Sequence, residues 1–316
     1  MFMQVDFEAG RLGLHGLPSS DLPSFRNTLK TEWPYFLPVV VLIYLMFGVK
    51  YPPDFSAFLA ALSIIVTGLF KKRARLGLYQ VSSVLEMTGK NIIQVGLSCA
   101  MAGIMMASVS LTGVAVLLSG EIVKIAAGSL FILLFLAAVA SFIFGLGMTA
   151  LPCYIFVAVM VAPALIQMGI TPMAAHLFVF WLAVSSFITP PEGVAFFVSA
   201  AIAKAPPMKV GWRAMLLGIG NFIIPFVFIY NPGFLLEGSL SKIILDVLFV
   251  VIGIVPLTAG IAGYFLNRVS WSLRVLLVGS AFLIFVPNWW SRLFGIGATA
   301  IVLTWQFLRT RRRALD

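Results

Sequence analysis

The stretch SLFILLFLAAVASFIFGLGMTALPCYIFVAVMVAPALIQM, residues 129–168, decides the fold. It holds no Asp, Glu, Lys or Arg, and its long apolar runs show no alternation of polar and apolar positions, so a transmembrane barrel strand is excluded. At its centre the linker Gly145-Leu146-Gly147-Met148-Thr149-Ala150-Leu151-Pro152 sets two glycines and a proline inside apolar sequence, where regular helix cannot continue. Two half-length helices, about 129–146 and 152–168, joined by such a linker are expected to form a re-entrant hairpin.

The composition says the same of the whole chain. Of 316 residues, 61% are hydrophobic and only 10% charged, too few polar side chains to cover a soluble globule. An integral, all-α membrane bundle follows, and at about 20 residues per crossing the apolar residues suffice for at most about nine or ten spans. Cys99 and Cys153 lie in apolar stretches without the spacing of a disulfide framework or a zinc site. His15 and His176 are too far apart for a zinc motif, and there is neither a phosphate-binding loop nor a Gly-x-Ser-x-Gly elbow. Enzyme function is therefore not expected. The net charge of +10 is assigned to membrane orientation and not to nucleic acid.

Outward from the hairpin, spans are expected at 34–50, 53–70, 91–110, 211–230, 240–266, 272–288 and 290–308. Between them, 76–90 reads as a surface-lying segment and 114–127 as an interfacial arm. A further helix, 173–204, is interrupted by Thr189-Pro190-Pro191-Glu192-Gly193 and is expected to be a broken membrane helix. The fold expected is thus about eight transmembrane helices plus one re-entrant hairpin. Residues 1–33 are expected to form a cytoplasmic lead-in, 34–232 a membrane core, and 233–316 a C-terminal extension with a basic tail. With the hairpin entering and leaving on one side, all of the 21 Lys and Arg except Lys50, Lys124, Lys242 and Arg292 fall on one face, which places both termini in the cytoplasm.

Irregular backbone at membrane depth persists where protein or a wet cavity satisfies it, so the two breaks mark a candidate site. Half-helix N-termini offer N–H groups to an anion, and half-helix C-termini offer carbonyls to a cation. The candidate substrate- and cation-binding residues at these breaks are Gly145, Gly147, Thr149 and Pro152 at the hairpin, with Thr189, Pro190, Pro191, Glu192 and Gly193 at the broken helix. No transition metal or bound cofactor is expected. A carboxylate at membrane depth costs about 2.5–3.5 kcal/mol, so Glu192 needs a cation, a proton or a partner base unless it faces a solvated vestibule. His176 reads as an interfacial, hydrogen-bonded histidine. Asn221 and Pro225 read as helix-packing glue and a kink, and Trp271, Trp289 and Trp290 as interface anchors.

The runs Gly145–Tyr154, Val161–Leu165, Ala174–Phe180, Ile188–Pro191 and Phe228–Pro232 together resemble the large, DctM-like permease of tripartite ATP-independent periplasmic (TRAP) transporters, with the closer likeness to TAXI-type fused permeases. The likeness extends from Arg11–Leu17 to the terminal spans. It implies a multi-pass subunit of the bacterial inner membrane that takes a small organic anion, such as a carboxylate, from a periplasmic substrate-binding protein. Uptake would use a sodium or proton gradient and an elevator motion, and the resemblance implies that cation and substrate are held at the hairpin tip, Gly145–Pro152, and the broken helix, Ser185–Gly193, which adds Ser185 and Ser186 to the candidates. It also implies that this chain corresponds to the C-terminal half of the permease, one half of an inverted-repeat elevator, with the remaining permease half and a small membrane subunit as partners. The alternative is a truncated or non-transporting membrane scaffold. The fused relatives usually carry a pair of hydroxyls where Thr149-Ala150-Leu151-Pro152 stands, and an apolar residue in place of Glu192. A sodium ion near Thr149 and Thr189 thus competes with a proton carried by Glu192, and the second reading is favoured.

Overall fold

The computed structural model of the chain describes residues 1–14, 16, 18, 22–70, 77–146, 148, 150–191 and 193–313. Among these every regular element is a helix, apart from one isolated bridge between Tyr264 and Arg268. The chain divides into two units, Gly16–Gly96 and Met1–His15 with Leu97–Asp316.

In the smaller unit, α2 (Phe25–Glu32) runs through a 3-10 turn into α3 (Leu37–Ile43) and a π turn over Tyr44–Gly48, so that Phe25–Gly48 forms one span of 24 residues. Pro52 and Pro53 then turn the chain into α4 (Pro53–Phe70). The buried face of α4 carries Ser56, Ala60 and Thr67 at helical spacing, and these small side chains let it pack closely on α3.

One expectation fails where α5 begins. The structure continues a single helix from Leu78 to Thr112, with no separate surface segment before residue 91. Nothing in 78–90 stops helical hydrogen bonding. Gly89 alone costs only about 1 kcal/mol, and Glu86 pairs with Lys90 at 2.6 Å one turn on.

In the larger unit, Gly113 takes a left-handed conformation (φ 70°) and the chain bends by 70° into α6 (Val114–Ala126). Its buried face holds Ala115, Ser119, Ile122 and Ala126, and Ser119 donates to the Met160 carbonyl at 2.9 Å. Ser129 caps α7 (Leu130–Gly145), followed by α8 (Ala150–Met160) and α9 (Ala162–Gln167). At 1.5 Å per residue α7 and α8 are about 24 and 17 Å long, short of the roughly 30 Å hydrocarbon core. Thr171 and Pro172 start α10 (Pro172–Ser185), which passes through a 3-10 turn, Ser186–Ile188, before α11 (Val194–Ala203). Leu133, Leu134, Val157, Leu165, Phe178 and Phe228 fill the core that these helices share with α13 (Gly220–Tyr230).

The expected span 211–230 is α12 (Pro207–Leu217) and α13, a continuous 24-residue apolar run with Pro225 buried inside it. α14 (Leu240–Ala262) stops short of 266 because Gly263 turns left-handed (φ 69°). α15 (Trp271–Phe285) ends ahead of 288 because Val286, preceding Pro287, is extended. α16 (Trp289–Arg313) continues past 308 into the basic tail. Glycines let α14, α15 and α16 approach closely: a Cβ at Gly253 would strike Phe285, and one at Gly295 would strike the Ser280 carbonyl. Helix α1 (Phe2–Leu12) lies along α14, with Phe7 edge-on to Phe265 at 5.7 Å. Four helices among the described residues are long and apolar enough to cross a membrane, five if the bent pair at Gly113 is one span, and five shorter apolar helices accompany them.

Candidate transport site at two helix breaks

The hairpin tip and the broken helix meet. α7 ends at Gly145, with Leu146 extended, and the Ser186 hydroxyl lies 2.9 Å from the Gly145 carbonyl oxygen and 2.7 Å from that of Ala183. A side chain at Gly145 would run into the backbone of Ala183, so only glycine permits this approach. Two helix C-termini therefore abut, bridged by one buried hydroxyl.

Around this contact the polar groups of the break turn inward. Ser185 donates to the Trp181 carbonyl at 2.8 Å, and Thr189 to the Ser185 carbonyl at 2.9 Å; Ser185, Ser186 and Thr189 are all buried. Each hydroxyl spends its one proton on a main-chain carbonyl, which leaves its oxygen lone pairs free to accept. Thr189 is extended (φ −111°, ψ 131°), and the Pro190–Pro191 peptide bond is cis. Gly193 caps α11, where a Cβ would meet the Phe187 carbonyl and the ring of Phe196. Pro190 packs at Gly211 of α12, which likewise has no room for a side chain. Pro152 is buried in the first turn of α8. Of the candidates, then, Gly145, Ser185, Ser186, Thr189, Pro190 and Gly193 belong to one packed break, while Pro191 is exposed. Gly147, Thr149 and Glu192 lie outside the described residues.

The chemistry available is that of main-chain and hydroxyl oxygens. Among the described residues no three His, Cys, Asp or Glu side chains gather into a metal-binding group. His176 is hydrogen-bonded to the Tyr154 hydroxyl through Nδ1 at 3.1 Å, tying α10 to α8.

A second polar cluster escaped the sequence reading. Arg292, counted there as a charge on one membrane face, is buried (6% exposed) and pairs with buried Asp246 of α14 at 2.9 Å. It also donates to Asn231 Oδ1 at 2.7 Å and stands 4.3 Å over the ring of Phe249. Asn231 in turn donates to the carbonyls of Val227 and Phe285, and Asp246 accepts from the Gly233 N–H at 3.2 Å. A lone Asp inside an apolar helix was the available signal.

An all-helical membrane protein whose short hairpin and broken helix touch has the build of a transport protein. Over residues 1–243 the chain matches the family described as "Tripartite ATP-independent periplasmic transporter, DctM component". It belongs to that family, and is the permease component of a TRAP transporter and not an enzyme. The match stops just inside α14, leaving α15 and α16 beyond it. Comparison with curated proteins and with solved structures gives no match.

Proposed function

We propose that this chain is a secondary uptake permease that moves small organic anions, carboxylates foremost, inward from a periplasmic binding protein through the two touching breaks. The observation that carries the reading is the bridge from Ser186 to the Gly145 carbonyl. It joins the C-terminal ends of α7 and α10, whose carbonyl dipoles favour a cation, while α8 and α11 begin a few residues further along each break with the dipole ends that favour an anion. The hydroxyl oxygens of Ser185, Ser186 and Thr189 suit a sodium ion, with Thr149 as a further ligand; Glu192 offers the alternative of a proton. Uptake proceeds by an elevator motion with both termini cytoplasmic, and the remaining permease half and a small membrane subunit complete the assembly in the inner membrane.

The test is uptake of labelled carboxylates into liposomes holding the complete assembly and its receptor, under a sodium gradient or a pH gradient alone. Loss of uptake in Ser186→Ala with the fold retained supports the site. Sodium-driven uptake at constant pH assigns the hydroxyl cage, and pH-driven uptake abolished by Glu192→Gln assigns the proton. Undiminished transport by Ser186→Ala refutes the placement of the site.

A further inference from the structure

The corner between α14 and α15 builds a second feature that the transport site does not use. After Gly263 the chain folds back through the Tyr264–Arg268 bridge, closed by the Val269 N–H donating to the Gly263 carbonyl at 2.9 Å, and α15 starts at Trp271. Helix α1 ends against this corner because Gly10 faces the ring of Tyr264 with no room for a Cβ, and Gly13 (φ 70°) turns the chain away. Between them lies a cleft of about 550 Å³ lined by Arg11, Gly13, Tyr264, Asn267 and Arg268 among others, a size typical of small-ligand cavities.

The charge in this cleft is one-sided. Among the described residues its walls carry two guanidinium groups, Arg11 from α1 and Arg268 from the corner, and no carboxylate. The nearby Glu8 is shared between Arg11 and Arg213, the latter at 3.1 Å, so one acid faces two bases. Arg274 adds a further positive charge beside the corner, where it donates to the carbonyls of Gly260 and Ile261 at 2.9 and 2.7 Å and stacks on Trp271 at 4.9 Å. Asp6, two residues from Glu8, points to the opposite side of α1.

The position of the cleft matters as much as its charge. α14 is 23 residues long and apolar enough to cross a membrane, which sets the corner at its end at the membrane surface, and Trp271 there is 72% exposed. Leu12 and Leu266 are exposed beside it. A phosphoryl group carries oxygens in three directions, so it can accept from guanidinium forks on two walls at once. We propose that this cleft binds a phosphoryl group, the shared chemistry of a phospholipid headgroup and of free phosphate.

The full chain, purified in neutral detergent and delipidated, is titrated with phosphatidylglycerol, with diacylglycerol and with inorganic phosphate. Bound lipid is read by native mass spectrometry and stabilisation by the thermal unfolding midpoint. Phosphatidylglycerol should bind more tightly than diacylglycerol. The Arg11→Gln/Arg268→Gln variant should lose about 30-fold in that affinity, equivalent to about 2 kcal/mol for two basic groups at a membrane surface. Arg268→Gln alone, which leaves the Glu8 pairs intact, should lose about 5-fold. Arg26→Gln/Lys209→Gln, with the same loss of charge elsewhere, should bind as the parent does. If inorganic phosphate shifts the midpoint and displaces the lipid, free phosphate is the source; if only the lipid binds, the headgroup is. Equal affinity for diacylglycerol, or unchanged affinity in both arginine variants, overturns the proposal.

Discussion

Arg292 and Asp246 offer a sharp quantitative test of how the last three helices are held. Replacing Arg292 by Met keeps the bulk over Phe249 but leaves the Asp246 carboxylate buried without its counter-charge, and breaking one side of a buried pair costs about 3–5 kcal/mol. Asp246→Asn keeps an oxygen for the Gly233 N–H while stranding the guanidinium, so it should cost about the same. In the double variant neither charge remains, and the chief residual loss is the donor to Asn231, about 1–3 kcal/mol. The two single losses should therefore fail to add by about 5 kcal/mol, a large share of the roughly 5–15 kcal/mol that a folded domain has in total. Reversible denaturant titration in mixed micelles, followed by tryptophan fluorescence and circular dichroism, measures all four corners of the cycle. Additive single losses, or single losses below about 1 kcal/mol, would refute the reasoning.

Three further outcomes follow from the packing. Gly145→Ala should lose about 1–3 kcal/mol of stability because its Cβ meets the Ala183 backbone, read as a lower thermal midpoint; an unchanged midpoint would mean the helices can separate there. Maleimide should modify Cys99, which is partly exposed, well before Cys153, which is fully buried, as peptide mass mapping of the folded protein would show. Tyr154→Phe should cost about 1 kcal/mol through the lost bond to His176, and a His176→Phe/Tyr154→Phe pair should cost less than the two singles together, measured by the same unfolding titration.

What the sequence showed and what it hid divide along a physical line. Glycine and proline act on the backbone where they stand, so the Gly145–Pro152 linker and the Thr189–Gly193 interruption could be placed within a few residues of the breaks that the structure contains. Hydropathy was a poorer guide before residue 91. The polar residues between Gln80 and Lys90 report contact with water, not the end of helical hydrogen bonding, and α5 passes straight through them. The contacts that assemble the site and the second polar cluster are non-local: Gly145 meets Ser186, and Arg292 meets an Asp 46 positions away. A charge count cannot tell a loop arginine from one turned into the bundle, and so it gave Arg292 to a membrane face.

The contact of Gly145 with Ala183 has a consequence for adaptation. Where two backbones touch with nothing between them, Gly145 cannot gain an atom without prising the helices apart, so the spacing of α7 and α10 is frozen at that point. A lineage, or a laboratory selection, can change this protein around that point but not at it, and libraries randomised at Gly145 and its neighbours should return glycine at 145 while the neighbours drift.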